Sequence, residues 1–126
     1  MSTSPRFTGA KNNDNTDRLV KNDYQAPAYA ASIAIATSPY AAKTLVAITL
    51  AGALTLTIGV GTSTTPPMVG DTIEFLIQSD ASIRIVTFST GFGPAGTLTT
   101  VASKSVTASF MFNGTAWIET GRAIQA

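Results

Sequence analysis

Leu54-Thr55-Leu56-Thr57-Ile58-Gly59-Val60 exchanges apolar and small or polar residues at every step. A period of two puts Leu54, Leu56, Ile58 and Val60 on one side of a pleated chain. This is the pattern of a half-buried strand, since a helix would need a period of 3.6. The pattern repeats outward in both directions. Residues 44–50 form an apolar run that Gly52 interrupts. Residues 72–77 place Ile73, Phe75 and Ile77 on one face, and residues 83–88 form the next strand. The turn Ser79-Asp80-Ala81-Ser82 between these two predicts a hairpin. Residues 97–101 make a short strand, and Val106, Ala108, Phe110 and Phe112 alternate in another. Asn113-Gly114 then gives the type I′ turn pair, with residues 116–120 as the returning strand. Residues 121–126 add a last short extended stretch. Loops are expected at 61–71, punctuated by Pro66-Pro67 and Gly70-Asp71, and at 89–96, which is Gly-rich. Upstream, Ile33 and Ile35 in an Ala-rich stretch indicate a short strand, while Pro27 and Pro39 stop any long helix.

Composition agrees with this reading. Thr (20), Ile (10) and Val (7) together supply a β-branched content that favours strands. Seven or eight short strands predict an all-β domain: a compact β-sandwich or jelly roll, or a small barrel. No fixed-period repeat is visible.

Charge is divided unevenly. Residues 1–23 carry seven of the fifteen charged side chains together with Asn12, Asn13, Asn15 and Asn22. This stretch has no helical or strand period and too little apolar surface to offset its ordering entropy. It lacks the apolar segment of a secretory signal. Residues 1–30 therefore read as an extended N-terminal arm ordered by partner subunits, and residues 31–126 as the all-β domain. All three tyrosines, Tyr24, Tyr29 and Tyr40, lie where arm meets body.

Several function classes lose their chemistry at once. With no Cys and no His, there is no thiol nucleophile, imidazole base or disulfide, and no thiolate or imidazole metal ligand. The remaining acids have ordinary roles: Asp71 and Asp80 sit at turns, and Glu74 is expected to pair with Arg84 across neighbouring strands. No catalytic, cofactor-binding or metal-binding residue is assigned, and the chain is not expected to be an enzyme. The loop Gly91-Phe92-Gly93-Pro94-Ala95-Gly96 lacks the Lys-Ser/Thr of a phosphate cradle, and a strand rather than a helix follows it. Asn113-Gly114-Thr115 matches a glycosylation sequon inside a tight hairpin. A net charge of +1 with no basic stripe argues against a nucleic-acid partner. The 27 uncharged residues between Lys43 and Asp71 are broken by Thr, Gly and Pro, which argues against a membrane span. Trp117 and Phe92 are the candidate ligand or oligomer surface, with packing in the core or a subunit interface as the alternative. A body with only eight charges in residues 24–126 has little to keep copies apart, which points to self-association.

Two segments carry a resemblance. Gly70-Asp71-Thr72-Ile73-Glu74-Phe75 opens a strand, and Phe112-Asn113-Gly114-Thr115-Ala116-Trp117-Ile118-Glu119 forms a late hairpin. Together they resemble small β-domains of tailed-bacteriophage virion proteins, in which a Phe-(Asn or Asp)-Gly-Thr-X-Trp hairpin closes a Thr/Gly-rich fold. The resemblance covers residues 44–120 in style. It implies a capsid decoration (cement) or head-fibre protein at the virion surface, made in the host cytoplasm and shorter than a complete tail fibre, as a homotrimer bound to the major capsid protein. The arm would then grip the shell through Phe7, Leu19, Val20 and Tyr24 as apolar anchors and Arg6, Lys11, Arg18 and Lys21 as partners for capsid acids. A receptor- or carbohydrate-binding fibre module, and another structural subunit of tail or head, are the alternative expectations.

Overall fold

The computed structural model describes residues 22–37, 41–59, 67–93 and 96–125. Residues 1–21, and with them the arm positions Arg6, Phe7, Lys11, Arg18, Leu19, Val20 and Lys21, lie outside the described residues. The described residues contain nine strands and no helix. They are β1 (Asp23–Gln25), β2 (Ser32–Ile35), β3 (Lys43–Thr49), β4 (Leu54–Ile58), β5 (Thr72–Gln78), β6 (Ile85–Phe88), β7 (Thr97–Thr99), β8 (Ser105–Phe112) and β9 (Trp117–Ile124).

The strands form two mixed sheets, ordered β1-β3-β5-β8-β9 and β2-β4-β6-β7. Neither closes into a barrel, and the arrangement is compatible with a β-sandwich. The chain alternates between sheets for its first six strands. β1, β3 and β5 are parallel neighbours in one sheet, and β2, β4 and β6 are parallel neighbours in the other. The first two-thirds of the body is thus an interleaved winding. Its turns are unequal: Asp23 pairs with Thr44 and Thr44 with Ile73, so successive coils take 21 and then 29 residues. β7, β8 and β9 close the structure with antiparallel pairs.

This winding overturns the hairpin expected from residues 72–77 and 83–88. β5 pairs with β3 and β8, while β6 lies in the other sheet beside β4 and β7. The turn at 79–82 carries the chain across the core instead. There Ser79 Oγ donates to the carbonyl of Ser82 and lies 2.9 Å from Thr100 Oγ1. Thr100 Oγ1 in turn accepts from the Arg84 N–H. A buried hydroxyl pair therefore satisfies the backbone at the crossing, as a buried polar group must be. The parallel neighbours also depart from the antiparallel Greek keys of a jelly roll.

Alternation decides which side chains meet between the sheets. Thr44, Val46 and Ile48 of β3, Ile73, Phe75 and Ile77 of β5, and Val106, Ala108 and Phe110 of β8 are buried from the five-stranded sheet. Ile33, Ile35, Leu54, Leu56, Val86, Phe88 and Leu98 are buried from the four-stranded one. At the centre, Phe75, Phe88, Phe92 and Phe110 all touch one another, with ring centroids 4.9–6.0 Å apart. Tilted and edge-on pairs of this kind add about 0.5–1.5 kcal/mol each beyond the area they bury.

The β8–β9 connection is present but is not a two-residue type I′ turn, which would need positive φ at both central residues. Only Gly114 has it, at +103°. Phe112 pairs with Trp117, leaving a four-residue loop whose Asn113 Oδ1 accepts the N–H groups of Thr115 and Ala116. The side chain of Asn113 caps the loop, and Gly114 supplies the left-handed step.

Candidate partner-binding surfaces

Of the two aromatic residues that mark a surface in the sequence, Trp117 is buried and Phe92 half-buried. Trp117 is 2% exposed, and its ring packs on Phe112 at 5.2 Å. Phe92 is half-buried within the phenylalanine cluster. A short backbone bridge holds them side by side: Trp117 N–H donates to the Gly91 carbonyl, and Gly93 N–H donates to that of Trp117. The loop after β6 therefore crosses to the first residue of β9 and ties the two sheets together. Gly91 makes the close approach, with φ +94° and a hypothetical Cβ only 2.5 Å from that of Ile58.

Tyr24 is the one proposed arm anchor among the described residues. It is 63% exposed on β1, an edge strand of the body, so residues 23–25 are ordered by their own β3. β1 spans only Thr44 to Val46 of β3, whereas β5 pairs with β3 through Thr49. Where β1 stops, a groove of about 400 Å³ opens, lined by Tyr24, Pro27, Tyr29, Ala47 and Leu76 among others. Tyr29 is fixed there, its hydroxyl donating to the Ala53 carbonyl at 2.7 Å.

Six charged side chains of the body form three ion pairs. Glu74 meets Lys43 at 3.4 Å, not the Arg84 expected from the sequence, because β6 is in the other sheet. Arg84 instead forms a two-pronged pair with Asp80 at 2.6 and 3.0 Å. Hydrogen bonding from Arg84 holds the Asp80 carboxyl below its ordinary value against the opposing effect of burial, and it raises the guanidinium's own value. Arg122 chelates Glu119 and also donates from Nη1 to the Thr97 carbonyl, linking β9 to β7 across the sandwich edge. The Glu119 hydrogen bonds raise the Arg122 value. Asp71 orders its own turn: its carboxylate accepts the Met68 N–H, and its carbonyl accepts that of Phe112. Among the described residues no three acids gather as a metal site. No helix there is long and apolar enough to cross a membrane, which does not bear on β-barrel spans.

The outward face of the four-stranded sheet is a surface that sequence reading missed. The pairings Ser32–Thr55, Thr55–Thr87 and Thr87–Thr97 line up one hydroxyl from every strand in a single row. Ala34 and Thr57 flank the row on one side, and Ile85 and Thr99 on the other. None of these residues is charged. The signal was present in Thr55-Leu56-Thr57 and Thr97-Leu98-Thr99, but only the interleaved topology places these segments on one face.

No protein-family model and no curated protein matches this chain.

Proposed function

We propose that the chain is a structural virion protein of a tailed bacteriophage, a capsid decoration or cement protein with no catalytic role. Its β-domain self-associates on the shell, and residues 1–21 with Tyr24 contact the major capsid protein. One observation carries this reading. The two segments behind the resemblance, 37 residues apart between Phe75 and Phe112, are hydrogen-bonded neighbours: Gly70 N–H donates to the Phe112 carbonyl, and Phe112 N–H to that of Asp71. They form one hydrogen-bonded unit of this fold, which supports reading the two segments together. The low charge of the body supports the same reading, since a subunit covered by neighbours needs few charges for solubility. A cement protein would stabilise the shell by mass action, binding the assembled form only.

The test uses particles made from the genome that encodes the chain. Density-purified virions should contain it in stoichiometric amount, with immunogold label on the head. Absence from the particles, or label confined to the tail, overturns the decoration reading. Chain lacking residues 1–21 should fail to bind particles stripped of the protein.

The groove at the end of β1 favours a second reading, a receptor- or glycan-binding module. Two tyrosines beside a concavity of about 400 Å³ offer a platform for a sugar ring, whereas the buried Trp117 does not. Loss of glycan-array signal in Tyr24→Ala would support it, and a blank array with intact protein would remove it.

A further inference from the structure

We infer that the outward face of the four-stranded sheet is the self-association surface, and that its occupant is the same face of a second copy related by a two-fold axis. The inference names the contact behind the self-association proposed above, and it stands whether or not the assembly is a capsid.

Three features select the occupant. The first is charge. The row Ser32–Thr55–Thr87–Thr97 and its flanks hold no charged side chain. A partner bringing a charge to this face would strip it of water and meet no counter-charge, at a cost of several kcal/mol per ion. The nearest charges of the chain itself, Arg84 with Asp80 and Arg122 with Glu119, are already paired at the rim. The second is hydrogen bonding. A hydroxyl is both donor and acceptor, so a row of them is complementary to its own copy. A face that meets itself is what a two-fold contact requires. The third is apolar content and size. Ile85 is 50% exposed beside the row, and Ile83 (65%) and Val101 (39%) continue the alternation past β6 and β7. Four strands about 4.8 Å apart and three to five residues long project roughly 250 Å². Even with Ile83 and Val101 at its edge, the face stays below the about 600 Å² per partner of a stable interface, in the range of weak, transient contacts. The contact is therefore expected to be reversible and concentration-dependent.

The face of the five-stranded sheet does not meet these conditions. Its central strand carries Glu74, paired to Lys43, and a copy covering this face would have to strip water from both charges.

The experiment is light scattering of the full chain over a concentration series, with single substitutions on each face. The parent should approach about 26 kDa, twice the 13.0 kDa chain. Thr87→Lys should hold the protein at the monomer mass, while Thr107→Lys on the other face should leave the dimer intact. A second readout does not depend on Thr87→Lys folding. The chain has no cysteine, so a single introduced thiol can join only two chains. Mild oxidation should trap Thr87→Cys as a covalent dimer and leave Thr107→Cys monomeric. A parent that stays monomeric at every concentration overturns the inference. So does a trimer mass unaffected by Thr87→Lys, or a disulfide that forms on the Thr107 face instead. None of these outcomes decides whether virions contain the chain, which the particle experiment reads separately.

Discussion

The two sheets share one core and present opposite outer faces. The five-stranded sheet places Glu74 at its middle and holds it with Lys43 from the adjoining strand. The four-stranded sheet places Thr55 and Thr87 at its middle and has no charge on its face. Both faces follow from the same alternation, because inward positions are apolar and the outward ones are left to composition. The difference therefore resides in the outward residues alone. One sheet carries a charged pair on its outer face; the other carries hydroxyls and small or aliphatic side chains, the surface that the proposed self-association would cover.

With one core between them the two sheets should fold as one unit, and the largest expected effect tests this. Phe75→Ala removes a ring that touches Phe88 and Phe92 as well as Phe110. It should cost about 3–5 kcal/mol, read as a lowered urea midpoint with a single transition. Two transitions would mean that the sheets are energetically separate. Gly91→Ala attacks the strap that joins β9 to the other sheet. Positive φ and the clash with Ile58 should together cost about 1–3 kcal/mol, read from the same urea midpoint. Replacing the charged pair sharpens the contrast between the faces. Lys43→Thr with Glu74→Thr should change stability by less than about 1 kcal/mol, because an exposed pair contributes little. It should nevertheless raise the solution mass above that of the parent, by making the second face resemble the first.

The smallest effect is one of acid. Asp80 has a folded value below its ordinary 3.8 through its bonds with Arg84. Its stabilisation is thus fully present above that ordinary value and lost as pH falls through the lowered one. Thermal melts of Asp80→Asn should match the parent in shape but lack this acid-dependent part of the decline. An unchanged acid profile would remove the pair from the account.

Much of this was legible in the residues. Period two at Leu54–Ile58 and at Thr72–Gln78 located strands and their inward faces, because alternation is a local property. Asp71 could be placed in its turn for the same reason. The partner of each strand was not legible. A short polar turn at 79–82 is equally compatible with a hairpin and with a crossing between sheets, and only the shared core decides. That single choice misplaced Arg84 against Glu74 and hid the hydroxyl row, whose members come from four strands spread over residues 32–97. Trp117 was ambiguous because its hairpin offers one buried and one open side. The backbone bridge from Gly91 and Gly93 ties this strand to the loop after β6, and no local pattern announces it.

Hydroxyl-radical footprinting of the full chain at low and high protein concentration compares the two faces directly. Ile83, Ile85 and Val101 report the four-stranded face, and Leu76, Met111 and Ile118 the five-stranded one; all six are between 38% and 65% exposed. The account predicts that oxidation of the first three falls as concentration rises while that of the second three stays constant. Protection at Leu76 and Met111 instead, or no protection anywhere as concentration rises, would contradict it.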